Sequence, residues 1–221
     1  MPRQLSFELP VRTARRREDF FVSTANARAV ALIDGWRDWP YGKLVLTGPK
    51  GSGKTHLAHI WADMADGRVM SASDLARADI AALVAAPLAI EDCQAIAGDP
   101  DAERALFHLH NLALAEGRAL LLTADAAPSH WRVALPDLAS RMQGTTTVTL
   151  EPPDDALLHA VLAKLFDDRQ IMPPPAVLFY VLRRIDRSFD AARDAVETLD
   201  RVALEQGRAI TRPFAAEVLE T

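Results

Sequence analysis

Leu44-Val-Leu-Thr-Gly48-Pro49-Lys50-Gly51-Ser52-Gly53-Lys54-Thr55-His56-Leu57 reads as an apolar strand, a glycine loop closed by Gly-Lys-Thr, and the first turn of a helix. A polyphosphate has to be held by backbone N–H groups that converge on it, and Gly48, Gly51 and Gly53 leave the chain free to approach that closely. Lys54 then reaches the β- and γ-phosphates, Thr55 offers its hydroxyl to Mg²⁺, and the helix starting at Lys54 adds its dipole. A glycine turn that merely joined a strand to a helix would have no need of the Gly-Lys-Thr ending. The segment Gly48 to His56 is therefore expected to bind ADP or ATP with Mg²⁺.

Outward from this loop, strands and helices alternate. A helical spacing of apolar residues from Ala27 to Trp36 precedes the strand Leu44–Thr47, and the helix Lys54–Ala65 follows it. Then come strands at 68–71, 88–90, 119–123 and 146–150, separated by helices near Leu75, over 102–116 and near 137–141. Such alternation predicts an α/β fold, a five-stranded parallel sheet flanked by helices on both faces. Pro152-Pro153 breaks the pattern. Beyond it only helical stretches are predicted, over 154–170, 174–185, 188–206 and 213–219, making a small all-helical subdomain. Residues 1–19 show no period long enough to fold alone and are expected to form a flexible arm. The organisation expected is thus an arm (1–19), a nucleotide-binding subdomain (20–151) and a helical subdomain (152–221).

Bulk properties narrow the function. The 221 residues are 49% hydrophobic, sufficient for a sizeable core, and contain no tract long enough for a bilayer. A net charge of −5 runs against a protein that mainly grips nucleic acid. The basic clusters Arg15-Arg16-Arg17 and Arg183-Arg184 with Arg187 read as solvated surface. The single cysteine, Cys93, cannot form an internal disulfide, and with no apolar signal at Met1-Pro-Arg-Gln-Leu-Ser this points to a cytoplasmic protein.

Hydrolysis at such a loop also needs carboxylates at the end of a neighbouring strand, one for the metal and one to orient water. Leu88-Ala89-Ile90-Glu91-Asp92 supplies both, with Glu91 as the metal-side acid and Asp92 as the second. The more usual order is Asp first. The inversion moves each carboxylate by about a bond length, so slow intrinsic hydrolysis is expected, because chemistry tolerates shifts near 1 Å poorly. Thr123-Ala124-Asp125 ends another apolar strand with polar groups that either sense the γ-phosphate or simply make a strand-end turn. In Pro136-Asp137-Leu138-Ala139-Ser140-Arg141 an arginine follows a short helix, where it is either a dipole partner or a finger reaching into a neighbour's nucleotide.

Together these pieces resemble the AAA+ module of the DnaA family of bacterial replication initiators, and along nearly the whole chain they are similar to the Hda family of DnaA-related regulators. The residues that carry the likeness are Phe21-Val22 with Asn26, the loop from Gly48 to Thr55, Glu91-Asp92, Thr123-Ala-Asp125 and Leu135-Pro-Asp-Leu-Ala-Ser-Arg141. In the last helices they are Ile185-Asp-Arg187, Leu199-Asp-Arg201 and Ile210-Thr-Arg-Pro-Phe214. The resemblance implies an AAA+ fold with a helical lid, nucleotide contacts from Phe21 and Val22, and Arg141 acting on ATP held by DnaA. It also implies that Gln4-Leu5-Ser6-Phe7-Glu8-Leu9 is a docking peptide for the DNA-polymerase sliding clamp. A free extended segment with alternating Leu5, Phe7 and Leu9 beside the amide of Gln4 suits such a pocket.

The family usually carries Leu and Pro where this chain has Phe7 and Glu8. It also places a second nucleotide-sensing arginine where this chain has Asp190. Arg187 and Arg193 lie one helical turn to either side on the same face, so that either one of them substitutes or the lid loses a phosphate contact. The implied role is a nucleotide-binding adaptor, monomeric or weakly self-associating, without sequence-specific DNA binding of its own. The alternative is a self-hydrolysing ATPase of the helicase-loader type.

Overall fold

The computed structural model describes residues 20–220. Five parallel strands, β1 (Lys43–Thr47), β2 (Arg68–Ser71), β3 (Leu88–Glu91), β4 (Leu120–Ala124) and β5 (Thr147–Thr149), form one sheet in the order β2-β3-β4-β1-β5. β1 is entirely buried, with β4 paired to one side and β5 to the other. Its side chains divide by strand alternation. Leu44 and Leu46 pack with α1 (Ala27–Asp34) and α2 (Lys54–Ala65) on one face. Val45 packs with α3 (Ile80–Leu83), α4 (Pro100–Ala115) and α5 (Pro136–Gln143) on the other. Because both faces are covered, the central strands β1, β3 and β4 read as apolar runs.

After Pro153 the chain is helical. α6 (Asp155–Asp167), α7 (Pro175–Leu182), α8 (Phe189–Gln206) and α9 (Arg212–Leu219) enclose a separate core around Leu162, Phe166, Val181, Leu199 and Phe214. Local chemistry sets these boundaries. Asp154, Ser188 and Thr211 each cap a helix by accepting an N–H from its first turn. Gly207 ends α8 in the left-handed conformation. The predicted helix 174–185 is shorter than its apolar spacing suggested, since α7 stops at Leu182. Helix α3, a single turn capped by Asp79, was absent from the sequence expectation.

Cys93 lies fully buried beneath β3 and β4, where burial pushes its thiol pKa far up. Among the described residues no helix is long and apolar enough to cross a membrane.

Candidate functional site

In a parallel sheet every strand ends at the same edge, so the loops after β1, β3 and β4 converge there. The phosphate loop leaves β1 at Thr47 and enters α2 at Lys54, with Gly53 in the left-handed region (φ 97°) as the residue before the helix. β3 delivers Glu91 and Asp92 to this edge, and β4 delivers Asp125. The backbone N–H of Asp92 donates to Thr123 Oγ1 at 3.3 Å, and that of Asp125 donates to Gln94 Oε1 at 3.2 Å, lacing the two strand ends together.

Lys54, 8% exposed, is held on three sides. Its Nζ donates to the carbonyls of Gly48 (2.7 Å) and Pro49 (3.0 Å) and to Asp125 Oδ1 (2.9 Å). The ammonium therefore stands at the mouth of the loop, with an acidic partner from β4. Two buried oxygens here have no hydrogen-bond partner, Ser52 Oγ and Glu91 Oε1. Buried polar atoms normally have partners, and each such orphan costs about 1–3 kcal/mol. Their position fits a site built for phosphates and a phosphate-bound cation. Thr55, exposed at the first turn of α2, and Glu91 are the residues that would hold Mg²⁺. Among the described residues no cluster of three or more His, Cys, Asp or Glu could hold a metal by itself.

On the other flank, Phe20 is buried and stacks on His56 with ring centroids 5.5 Å apart. Asn26 fixes the approach: its Nδ2 donates to the Phe21 carbonyl at 2.9 Å, while its Oδ1 accepts from Ser23 N at 2.9 Å. Phe21 and Val22 stand exposed beside this stack, at 43% and 53%. Two exposed apolar side chains thus follow directly on the Phe20–His56 stack at the first turn of α2.

The lid comes down on the phosphate loop itself. Phe189 N donates to Gly51 O at 2.8 Å. A Cβ on Gly51 would meet Ser188 Cβ at 2.6 Å, and one on Gly53 would meet the Phe189 ring at 2.9 Å. Gly51 and Gly53 are thus required twice, for their positive φ and for the close packing of α8. Asp190 is exposed at the start of α8, its Oδ2 3.2 Å from where that Gly51 Cβ would be.

The expected pairing of Arg187 and Arg193 on one helical face needs correction. Arg187 precedes the cap residue Ser188, lies outside α8, and forms an ion pair with Asp155 at 2.7 Å. The turn at Ser188 breaks the helical spacing between them. Arg193 is on α8 and pairs with Asp190 at 3.4 Å.

Arg141 is elsewhere. It lies near the end of α5, exposed, with its carbonyl accepting from Thr145 Oγ1 at 2.9 Å. Its charge is felt at the opposite end of the sheet from the phosphate loop. Lys43, the first residue of β1, contacts buried His110 of α4 (Nζ to Nε2, 2.5 Å). Burial lowers the pKa of Lys43, and Arg141 lowers it further. Burial, then Lys43 and Arg141 lower that of His110, against a smaller upward pull from Asn111. The four steps from Lys43 to Thr47 span about 13 Å, so Arg141 stands at one end of β1 and Lys54 at the other. Neither the Lys43–His110 pair nor the seating of α8 on the loop was anticipated. The nearest sequence signal was the density of glycines at 48, 51 and 53, which also marks close backbone approach.

Residues 155–219 match the family model of the Hda lid domain. The whole fold is similar to domain III of the replication initiation protein DnaA from Thermotoga maritima, with 22% identity, a TM-score of 0.79 and coverage of 96% of this chain and 98% of that one. The lid is thus of the Hda type, and the fold as a whole is one shared with DnaA domain III. DnaA from Aquifex aeolicus, solved with AMPPCP, is similar at 20% identity and a TM-score of 0.68, over 86% of this chain and 65% of that chain. The Holliday junction branch migration motor RuvB of Thermotoga maritima is similar at 17% identity and a TM-score of 0.72, over 95% and 72%. A parallel five-stranded sheet carrying a helical lid accounts for both likenesses. The clamp-peptide residues Gln4, Leu5, Ser6, Phe7 and Leu9 lie outside the described residues.

Proposed function

We propose that this protein is a DnaA-related AAA+ replication protein, a nucleotide-bound adaptor that promotes hydrolysis of ATP held by DnaA and so restrains initiation of chromosomal replication. The observation that carries the reading is the placement of Arg141. An exposed guanidinium at the far end of β1 from its own Lys54 is badly placed for its own nucleotide and well placed for a neighbour's. There it acts as a finger on the charge that develops at the γ-phosphate, a contribution worth about 10³–10⁵ in rate.

Its own site, in this reading, holds ADP or ATP with Mg²⁺. The amides of Gly48 to Thr55 and the Lys54 ammonium bind the phosphates, and Phe21, Val22 and His56 flank the base. Thr55 and Glu91 hold the metal, which would neutralise phosphate charge. Asp125 holds Lys54 in place, and Phe189 and Ser188 cover the loop. Gln4 to Leu9 dock the protein on the sliding clamp as a monomer or weak oligomer in the cytoplasm, and contact with DNA is indirect, through the clamp. The solved DnaA structures with AMPPCP support nucleotide binding by analogy of fold.

A self-hydrolysing remodeller of the helicase-loader type is the second reading, favoured by the buried, unpartnered Oε1 of Glu91 at the end of β3. Against it, Asp92 is exposed and held in the left-handed conformation (φ 58°), beyond the end of β3. The deciding experiment is hydrolysis of ATP preloaded on DnaA, with this protein, clamp and DNA added singly and together. Stimulation only with all three supports the adaptor. Equal turnover by this protein alone supports the remodeller.

A further inference from the structure

The buried carboxylate of Glu103, on α4, has no place in the nucleotide site, yet it is saturated with hydrogen bonds. It is 1% exposed. Its Oε1 accepts from Gly98 N at 2.8 Å and from Ala134 N at 3.0 Å, and its Oε2 accepts from Ala134 N at 3.0 Å and Leu135 N at 2.8 Å. Burial alone would raise its pKa, but the amides of Ala134, Gly98 and Leu135 outweigh it and hold the carboxyl below its ordinary value. No cation takes part in these bonds. One buried anion thus organises two loops.

Both loops matter by where they lead. Gly98 closes the turn that runs from Asp92 past Gln94, whose side chain accepts from Asp125 N. Ala134 and Leu135 are the last residues before α5, and Leu135 is its N-cap position, with no side-chain cap of its own. An α-helix starting at Pro136 is rigid over its eight residues, so the direction in which Arg141 projects is set by how the first turn is held. Leu138 and Met142 bury one face of α5 in the core, which limits rotation about its axis. The entering segment is held apolarly by Trp131, Val133 and Leu135 against the same core, and Glu103 fixes its backbone through the amides of Ala134 and Leu135. The only other side-chain hydrogen bond within the loop from Ala126 to Leu135 that reaches beyond adjacent residues, among those described, is Trp131 Nε1 to the Ala126 carbonyl at 2.8 Å.

We infer that Glu103 is a positioning residue for the finger: by gripping the amides of Ala134 and Leu135 it fixes the start of α5 and hence the reach of Arg141 into the partner's nucleotide site. The inference rests on the proposed role of Arg141. A carboxylate is required because the three N–H donors converge on two acceptor oxygens. Glu103→Gln keeps the size but turns one acceptor into a donor facing N–H groups. A displacement of α5 near 1 Å at Arg141 is enough to cost about a hundredfold in the assisted reaction.

The test uses the full chain with clamp, DNA and ATP-loaded DnaA, and compares wild type, Glu103→Gln, Glu103→Asp, Arg141→Ala and the double variant Glu103→Gln/Arg141→Ala. Expected for Glu103→Gln is a stimulated rate at saturating protein lowered about a hundredfold, a half-saturating protein concentration and ADP affinity near wild type, and faster hydrogen exchange at Ala134 and Leu135. The double variant is expected to be no slower than Arg141→Ala, because both changes act on one contact. Glu103→Asp, which keeps the charge at shorter reach, falls between. It also serves as the readout if the Gln variant is unfolded by its melting curve. Loss with Arg141→Ala but full stimulation by a folded Glu103 variant overturns the positioning role alone. So does a double variant whose losses multiply. Full stimulation with Arg141→Ala overturns instead the function on which the inference rests.

Discussion

Lys54 and Asp125 face each other at 2.9 Å across the mouth of the phosphate loop, the ammonium 8% exposed and the carboxylate 35%. One comes from the helix after β1 and the other from the end of β4, so their pairing joins two strands at the point where phosphate charge would arrive. The loop lysine is therefore already oriented by protein oxygens. Lys54→Ala is expected to remove ADP binding measured by calorimetry. Wild type should also gain about 2.7 kcal/mol of stability at a hundredfold excess over Kd, a shift of roughly 5–10 °C in Tm, and the variant should gain none. Unchanged ADP affinity in Lys54→Ala would remove the basis of the nucleotide site.

The adaptor and the remodeller separate on two substitutions. Arg141→Ala is expected to reduce stimulated hydrolysis on DnaA by about 10³-fold or more, with the variant's own ADP affinity unchanged. Asp92→Asn is expected to leave that stimulated rate near wild type, since the reaction proposed would use the initiator's own acid. The reverse pattern in the same clamp-dependent assay refutes the adaptor.

For the arm, Gln4→Ala with Leu5→Ala is expected to abolish binding to immobilised sliding clamp while the melting temperature and ADP affinity stay at wild-type values. Clamp affinity equal to wild type in this variant would exclude the peptide as the docking element.

Acid should loosen the sheet at the Lys43 end. His110 is buried and its pKa is lowered, so the folded state resists protonation that the unfolded chain accepts below about pH 6.5. The contribution is complete above that pH and is lost as the pH falls from 6.5 toward the folded-state value, each unit of depression being worth about 1.4 kcal/mol. His110→Gln keeps an acceptor for Lys43 without a titrating group. Its melting temperature is expected to fall less steeply than that of wild type between pH 7 and 5. Identical slopes would assign the acid sensitivity to other groups.

Gly53→Ala would put a Cβ 2.9 Å from the Phe189 ring at a φ of +97°. A loss of about 1–3 kcal/mol in thermal or urea unfolding without nucleotide is expected. Adding Phe189→Ala should relieve the steric part, so that the double variant is less destabilised than the sum of its singles. Strict additivity would mean that α8 does not rest on the loop in solution.

The parts of this fold legible in the sequence were those with short-range causes. The phosphate loop is legible because Gly48, Gly51, Gly53, Lys54 and Thr55 must be adjacent to form one nest. The strands are legible because apolar runs such as Leu44–Leu46 and Leu120–Leu122 are buried on both faces. Strand order was not, because nothing in the run Arg68–Ser71 says that it pairs only with β3 at the sheet edge. Arg187 was misplaced because helical spacing cannot show that Ser188 turns the chain before α8 begins. Lys43 and His110 are 67 positions apart, and Glu103 looks like an ordinary solvent-facing acid in the first turn of a helix until its partners at Ala134 and Leu135 are known. Long-range polar pairing leaves no periodic trace.

The burial of Cys93 has a practical consequence for experiments on this molecule. A thiol that is fully buried, with its pKa pushed far up, is a poor nucleophile toward alkylating dyes. Since the chain has no other cysteine, a single one introduced at an exposed site such as Met172, 93% exposed just before α7, would carry a fluorophore alone, without first mutating the native residue. The lid could then be followed by fluorescence, in a chain otherwise unaltered, as nucleotide is added.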